Sequence, residues 1–392
     1  MTVKKYISDI HDELVGIRRE LHANPQVGFH ETFASGLVQD YLRKCGIEFQ
    51  AGLAETGVVG WLLPEDISKR ELPGVALRAD IDALTVEEKT GLTYASHNEG
   101  CMHACGHDGH TVMLLGAANV LSKYRRQLTR PVKFIFQPAE ESFGGALPMI
   151  RQGVLDERTG GIRVNRIFAV HNWPALPLGR IGLRSGPFWA SVDGFRVIIK
   201  GKGGHGARPQ TAINPLIPAA KAVLEIDSIK NSSLPASAGP VVLSVCSING
   251  GTKSNVIPDD VIIQGTIRTF DDGLASEIKR RISEIAADIA AAAACKSAFE
   301  VIYGYPVVVN DSQATDEMSQ AAKTVLGMEN VLRDYPQVSV AEDFSFYLQK
   351  VQGCIAVLGC GPSEDLHNPH YDFNDALIPT GVELFVRLAM QE

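Results

Sequence analysis

Gly74-Val-Ala-Leu-Arg-Ala79, the segment Asp108 to Tyr124, and Val132-Lys-Phe-Ile-Phe-Gln137 together decide the fold. The outer two are short apolar runs of strand length, and the middle one is helical. Strand, helix and strand in succession argue for parallel strands joined by a crossover. The same alternation extends outward in both directions. Gly57 to Leu63 and Arg166 to Val170 read as further strands. Ser8 to Leu21 carries Ile10, Leu14, Ile17 and Leu21 at helical spacing, and Thr32 to Cys45 is a helix ended by Gly46. This pattern predicts an α/β sandwich built on a mixed sheet.

The character of the chain changes at Gly186-Pro187. Gly194 to Gly201 alternates Phe195, Val197 and Ile199 against Arg196, Ile198 and Lys200, which is the period of a half-buried strand. A helix (Pro215 to Ile229), two strands (Val241 to Ile248 and Val261 to Phe270), a long helix (Leu274 to Ala294) and a strand (Phe299 to Tyr305) follow. The order β-α-β-β-α-β is the ferredoxin-like arrangement. Cys354 to Leu358 and Thr380 to Met390 then return to strand and helix. The expected layout is a discontinuous catalytic domain, 1–186 plus 307–392, with a ferredoxin-like lid and dimerisation domain inserted at 187–306.

Length and composition bound the function. A chain of 392 residues has room for two or three domains and a large core. The formal net charge of -8 argues against nucleic acid or an anionic membrane as the partner. Met1 to Glu13 has no apolar signal-like core, and the Ala-rich Ile285 to Cys295 is too short to span a bilayer. Seven cysteines without framework spacing fit a reducing compartment, so a cytoplasmic enzyme is expected.

The chemistry concentrates just before the central helix. Gly100-Cys-Met-His-Ala-Cys-Gly-His-Asp-Gly-His110 holds two cysteines, three histidines and an aspartate, and thiolate with imidazole suits zinc and similar metals. A polar turn with Asp108 as helix cap would need only one such residue. Glu140 and Glu141 end the apolar strand that precedes them, His171 sits at the end of another, and His367 and His370 lie in a later loop. Each of these elements has an ordinary structural explanation. One shared metal site accounts for all of them.

At this point the sequence resembles the dinuclear amidohydrolases that include aminoacylases, hippurate hydrolases and plant auxin-conjugate hydrolases, relatives of metal-dependent carboxypeptidases. The matching motifs run the length of the chain. They include Arg19-Glu-Leu-His-Ala-Asn-Pro25, Leu77-Arg-Ala-Asp-Ile-Asp-Ala-Leu84, His103-Ala-Cys-Gly-His-Asp-Gly-His110, Gln137-Pro-Ala-Glu-Glu141, Val170-His-Asn-Trp173, Gly203-Gly-His-Gly-Ala207, Ser254-Asn-Val-Ile-Pro-Asp259 and Leu366-His-Asn-Pro369. The resemblance implies two divalent metal ions, zinc or manganese first and cobalt or nickel also compatible. Cys105 would bridge them, with His107, Glu141, His171 and His367 completing the ligands. It implies Glu140 as the general base assisting attack of a metal-bound water, and Asp80 as a residue orienting a ligand. It further implies that His205 polarises the scissile carbonyl from the partner subunit of a homodimer, while Asn255 and Arg268 hold the substrate carboxylate.

The implied reaction is hydrolysis of N-acyl or N-aroyl amino acids, hippurate-like small molecules. A dipeptidase or carboxypeptidase using the same site is the alternative, and a non-catalytic metal- or peptide-binding relative a further one. A thiol protease built on Cys105 and His107 is disfavoured, because nucleophile and base ordinarily come from distant segments. The chain departs from the family pattern at Gln210, Asn214 and Asn368, positions that bear on substrate preference rather than reaction type. His103 and His110 are expected to support the site from outside, and Cys45, Cys246, Cys295, Cys354 and Cys360 to be core thiols.

Overall fold

A computed structural model describes residues 2–142, 144–231 and 239–391. The chain divides into two compact units. The first comprises Met1–Gly186, Val309–Pro336 and Asp343–Glu392, and the second Pro187–Val308 with Gln337–Glu342. The stretch Gln337–Glu342 thus groups with the inserted unit rather than with the flanking one, where the sequence reading placed it. The reason is local: Val338 bridges to Trp189, and Arg268 Nη1 donates to the Ser339 carbonyl at 2.9 Å.

The first unit is a mixed α/β structure around an eight-stranded sheet. Its centre is parallel: Gly74–Asp80 lies between Val132–Gln137 and Val164–Trp173, and Gln352–Gly359 continues beyond the latter. The hairpin Glu48–Leu53 and Gly57–Leu62 adds antiparallel strands at one side. The central strands are apolar on both faces because both are covered; Val75, Leu77, Phe134, Phe136 and Phe168 are fully buried. Each such side chain contributes roughly 1.5–3 kcal/mol on leaving water.

The helix His107–Lys123 is buried from His107 to Leu121, which explains why it is apolar nearly all round. Its neighbours are the helices Val3–Ala23 and Ile378–Met390. At Gly116 a Cβ would stand 2.6 Å from a Val382 methyl and 2.8 Å from a Leu14 methyl, so only glycine permits this approach. The helix start, which carries the metal-type residues, is therefore anchored in the buried core of the unit.

The second unit has a four-stranded antiparallel sheet in the order Val242–Asn249, Asp260–Arg268, Val192–Lys200, Lys296–Tyr305. With the helices Leu216–Ser228 and Asp272–Ala292 this is the ferredoxin-like arrangement. Phe195, Val197, Ile199, Ile263, Ala222, Ile226, Ile278 and Ile282 form its core. Among the described residues no helix is long and apolar enough to cross a membrane. All seven cysteines are unpaired; Cys295, Cys354 and Cys360 are buried as expected, but Cys45 is only half-buried, and Cys246 is exposed on a strand that buries Leu243 instead.

Candidate metal centre

The ligand-type residues of the first unit converge at the C-terminal ends of its parallel strands, where open α/β sheets place their sites. Cys105, His107 and His171 offer donor atoms within 4.8 Å of one another, and so do Cys105, Glu141 and His367. Cys105 belongs to both triplets. His107, Glu140 and Glu141 make a third such group, which sets Glu140 beside the pair. The Cys105 sulfur lies 3.5 Å from His171 Nε2, and Glu141 Oε1 lies 3.2 Å from His367 Nε2 and 3.9 Å from His107 Nε2.

The histidines present their free nitrogens inward. His107 Nδ1 donates to the Asp82 carbonyl at 3.0 Å, and His171 Nδ1 to the Asn172 carbonyl at 2.8 Å. A ring nitrogen facing a carbonyl carries a proton, so Nε2 of each is the nitrogen left to face a metal ion. His107 Nε2 is buried without a hydrogen-bond partner. Sulfur, imidazole and carboxylate donors in this disposition fit divalent metal ions.

Electrostatics point the same way. Burial, then Glu141 and Glu140, push the Cys105 thiol well above its ordinary range. Burial opposes charge on His107, but Asp80, Asp82 and Glu141 outweigh it and raise this histidine to about 10. His171 is lowered to about 3, by burial first and then by His110. The Cys105 thiol and the His107 imidazole thus keep protons among buried carboxylates, and a bound cation would replace those protons.

Asp80 and Asp82 divide their work differently from the sequence expectation. Asp80 was expected to orient a ligand. Its carboxylate instead accepts from His110 Nδ1 at 2.6 Å and from Arg78 Nη1 at 2.7 Å, and stands 3.8 Å from His107 Nε2. The orienting contact falls to Asp82, two residues on. Its Oδ1 is 3.2 Å from His107 Nδ1, and its Oδ2 accepts from the Glu141 backbone N–H at 3.0 Å, so one side chain braces two ligand-type residues. The strand geometry explains the exchange: Asp80 is the last residue of the strand, while Asp82 lies just beyond it.

Glu31 is a second residue that the sequence reading passed over. It is fully buried, accepts from the Ala139 N–H at 2.9 Å and the Thr56 hydroxyl at 2.6 Å, and so fastens the turn carrying Glu140. That turn needs fastening, because Ala139 has φ 55, and His367 likewise has φ 67. Such conformations cost roughly 1–3 kcal/mol each and persist where the surroundings impose them. The His367 N–H is held by the Ala104 carbonyl at 2.8 Å. His103 is buried, 6.4 Å ring to ring from His22. Glu140 itself is buried.

His205, Asn255 and Arg268 belong to the second unit. His205 lies on the short strand Gly204–His205, paired with Val256–Ile257, and is exposed. Asn255 is exposed beside it, its carbonyl accepting from Gly206 N–H at 2.8 Å. Arg268 ends the strand Asp260–Arg268 and spends one donor on Ser339.

Residues 76–391 match the model of peptidase family M20/M25/M40. The chain is 37% identical to an N-acetyl-L-cysteine deacetylase of Bacillus subtilis, across 95% of this chain and 86% of that protein. It is 36% identical to IAA-amino acid hydrolase ILR1-like 4 of Arabidopsis thaliana, across 97% and 86% respectively. It is also 38% identical to thermostable carboxypeptidase 2 of Saccharolobus solfataricus, across 91% and 88%. Among solved structures, the YXEP protein of Bacillus subtilis, described as a dinuclear metal binding peptidase, superposes with a TM-score of 0.83 at 32% identity, covering 98% of each chain.

Proposed function

The chain belongs to peptidase family M20/M25/M40, and on that premise we propose that it hydrolyses N-acyl or N-aroyl amino acids, hippurate-like small molecules, to a carboxylate and a free amino acid. The observation that carries this reading is the pair of donor triplets sharing Cys105, with Glu140 beside them. Cys105, His107, Glu141, His171 and His367 would hold two divalent ions, zinc or manganese first. When bound, such ions polarise the amide carbonyl and ease ionisation of water. The Glu140 carboxylate takes a proton from the attacking water and returns it to the leaving nitrogen. Its neighbour Glu141 would hold the metal, so the two adjacent acids would divide the work. Asp82 and Asp80 keep His107 and His110 in fixed tautomers.

In the second unit Arg268 retains guanidinium donors beyond the one given to Ser339, which suits a substrate carboxylate, with Asn255 as its companion. We assign His205 to the carbonyl of the substrate bound by the partner in a homodimer. Support comes from the second unit, whose edge strand Val242–Asn249 has no outer partner among the described residues and whose Ile217 and Leu224 are 61% and 72% exposed. If one chain supplies Glu140 and the other His205, mixing inactive Glu140→Gln and His205→Ala chains should restore activity through one intact site per mixed dimer. Mixtures as inactive as their components, or a chain that sediments as a monomer, would remove this assignment. Seven free thiols support a cytoplasmic setting.

The substrate class is tested by assaying N-acetyl and N-benzoyl amino acids and dipeptides on chelated and metal-reconstituted enzyme. Turnover of the acyl amino acids that vanishes on chelation and returns with metal is the expected result. Preferential cleavage of dipeptides would favour the second reading, a dipeptidase or carboxypeptidase, for which the similarity to a thermostable carboxypeptidase speaks. No turnover on any substrate would favour a binding relative.

A further inference from the structure

Asn172 makes contact with several ligand-bearing segments at once. Its backbone N–H donates to His110 Nε2 at 3.0 Å, on the helix that begins with His107. Its carbonyl accepts from His171 Nδ1 at 2.8 Å. Its side-chain amide donates to the Tyr371 hydroxyl at 2.6 Å, on the loop that carries His367. The same two side chains press on the turn between Cys105 and His107. A Cβ at Gly106, which has φ 81, would stand 2.5 Å from Asn172 Oδ1 and 2.8 Å from the Tyr371 hydroxyl. Asn172 and Tyr371 are both fully buried.

We propose that Asn172 and Tyr371 are positioning residues that lock the Cys105–His107 turn, the His171 strand end and the His367 loop in register, and thereby set the affinity of the site for its ions. The inference rests on the assignment of those residues as ligands. The physical ground is that Cys105, His107, His171 and His367 come from three separate stretches of chain. A group touching all three helps to fix the distances between their donor atoms, alongside the Ala104 carbonyl that holds the His367 N–H. Gly106 completes the device, since any side chain there would push the Asn172–Tyr371 pair away. Residues supporting metal ligands in this manner typically change affinity by about 10–100-fold when removed.

The test is titration of the metal-free full-length protein with cobalt, following thiolate-to-cobalt absorption, and with zinc by competition. Tyr371→Phe keeps the ring and removes only the hydroxyl, and Asn172→Ala removes the amide. Both are expected to bind about 10–100-fold more weakly and to show a weakened thiolate band while remaining folded by near-UV circular dichroism. Val386→Ala, a fully buried position in the terminal helix, serves as a control for general loosening of the core, and should bind as the parent does. Parent-like affinity in both site variants, or equal weakening in Val386→Ala, would overturn the inference while leaving the ligand assignment standing. A parent chain that binds cobalt without any thiolate band would overturn the ligand assignment and this inference with it.

Discussion

Glu140→Gln is expected to lower kcat by about 10²–10⁴-fold, the ordinary worth of a positioned general acid–base, while both metal ions and KM are retained. Glutamine preserves the shape and hydrogen-bonding reach of the side chain but cannot accept the water proton. The neighbouring position should behave in the opposite way. Glu141 lies 3.2 Å from His367 and within the Cys105 triplet, so Glu141→Gln should lose metal first and activity as a consequence. Steady-state kinetics paired with metal analysis of the same preparations separate the two outcomes. A Glu140→Gln enzyme with full activity would show that some other group moves the proton.

The contrast between the two glutamates also marks how far sequence reasoning reaches. Burial periodicity made the central strands and the inserted β-α-β-β-α-β unit legible, because apolar side chains in those segments face a covered sheet. Among the elements that escaped, two show why. The strand Glu48–Leu53 lies at the edge of the sheet and is mostly exposed, so it shows no alternating pattern. The helix Ser312–Leu326 buries Ala314, Met318, Ala321 and Ala322 together with Thr315 and Ser319, so half-polar and small residues stand where an apolar run would draw the eye. Its start did carry a signal, since Asp311 caps it by accepting from the Ala314 N–H at 2.9 Å.

The candidate ligands were visible because thiol, imidazole and carboxylate cluster where strands end. Their supports were not. Asp82 stood inside a recognised motif, but only the turn after the strand determines which of Asp80 and Asp82 faces His107. Glu31 is remote in sequence from the turn it braces, and a lone glutamate before a helix gives no hint of burial. Asn172 likewise looks like an ordinary strand residue until its four contacts are seen together. Residues that act through other residues are defined by tertiary distances, and local pattern does not encode these.

Arg18→Met is expected to destabilise the first unit by about 3–5 kcal/mol, the usual consequence of removing one partner from a buried ion cluster. Arg18 is fully buried and lies 2.8 Å from Asp375, 3.2 Å from Asp372 and 3.6 Å from Asp108, with its guanidinium 4.7 Å from the Tyr94 ring centre. Methionine fills much of the space yet leaves Asp108, itself fully buried, with His22 as its remaining close ionic partner at 2.9 Å. Urea unfolding of the metal-free protein measures the loss; a change below about 1 kcal/mol, as for surface sites, would refute it. The same cluster sets a pH dependence. Burial opposes charge on His22, but Asp108 and Glu88 overcome it and raise it to about 9, with Arg18 pulling down. A histidine raised on folding adds stability that is complete below its unfolded value of about 6.5 and is lost as pH rises through its folded value. Removing Arg18 removes a repulsion on His22, so the decline in stability should move to higher pH in Arg18→Met. Unfolding midpoints compared from neutral to alkaline pH test this directly, and a decline moving to lower pH would mean that Arg18 does not repel His22.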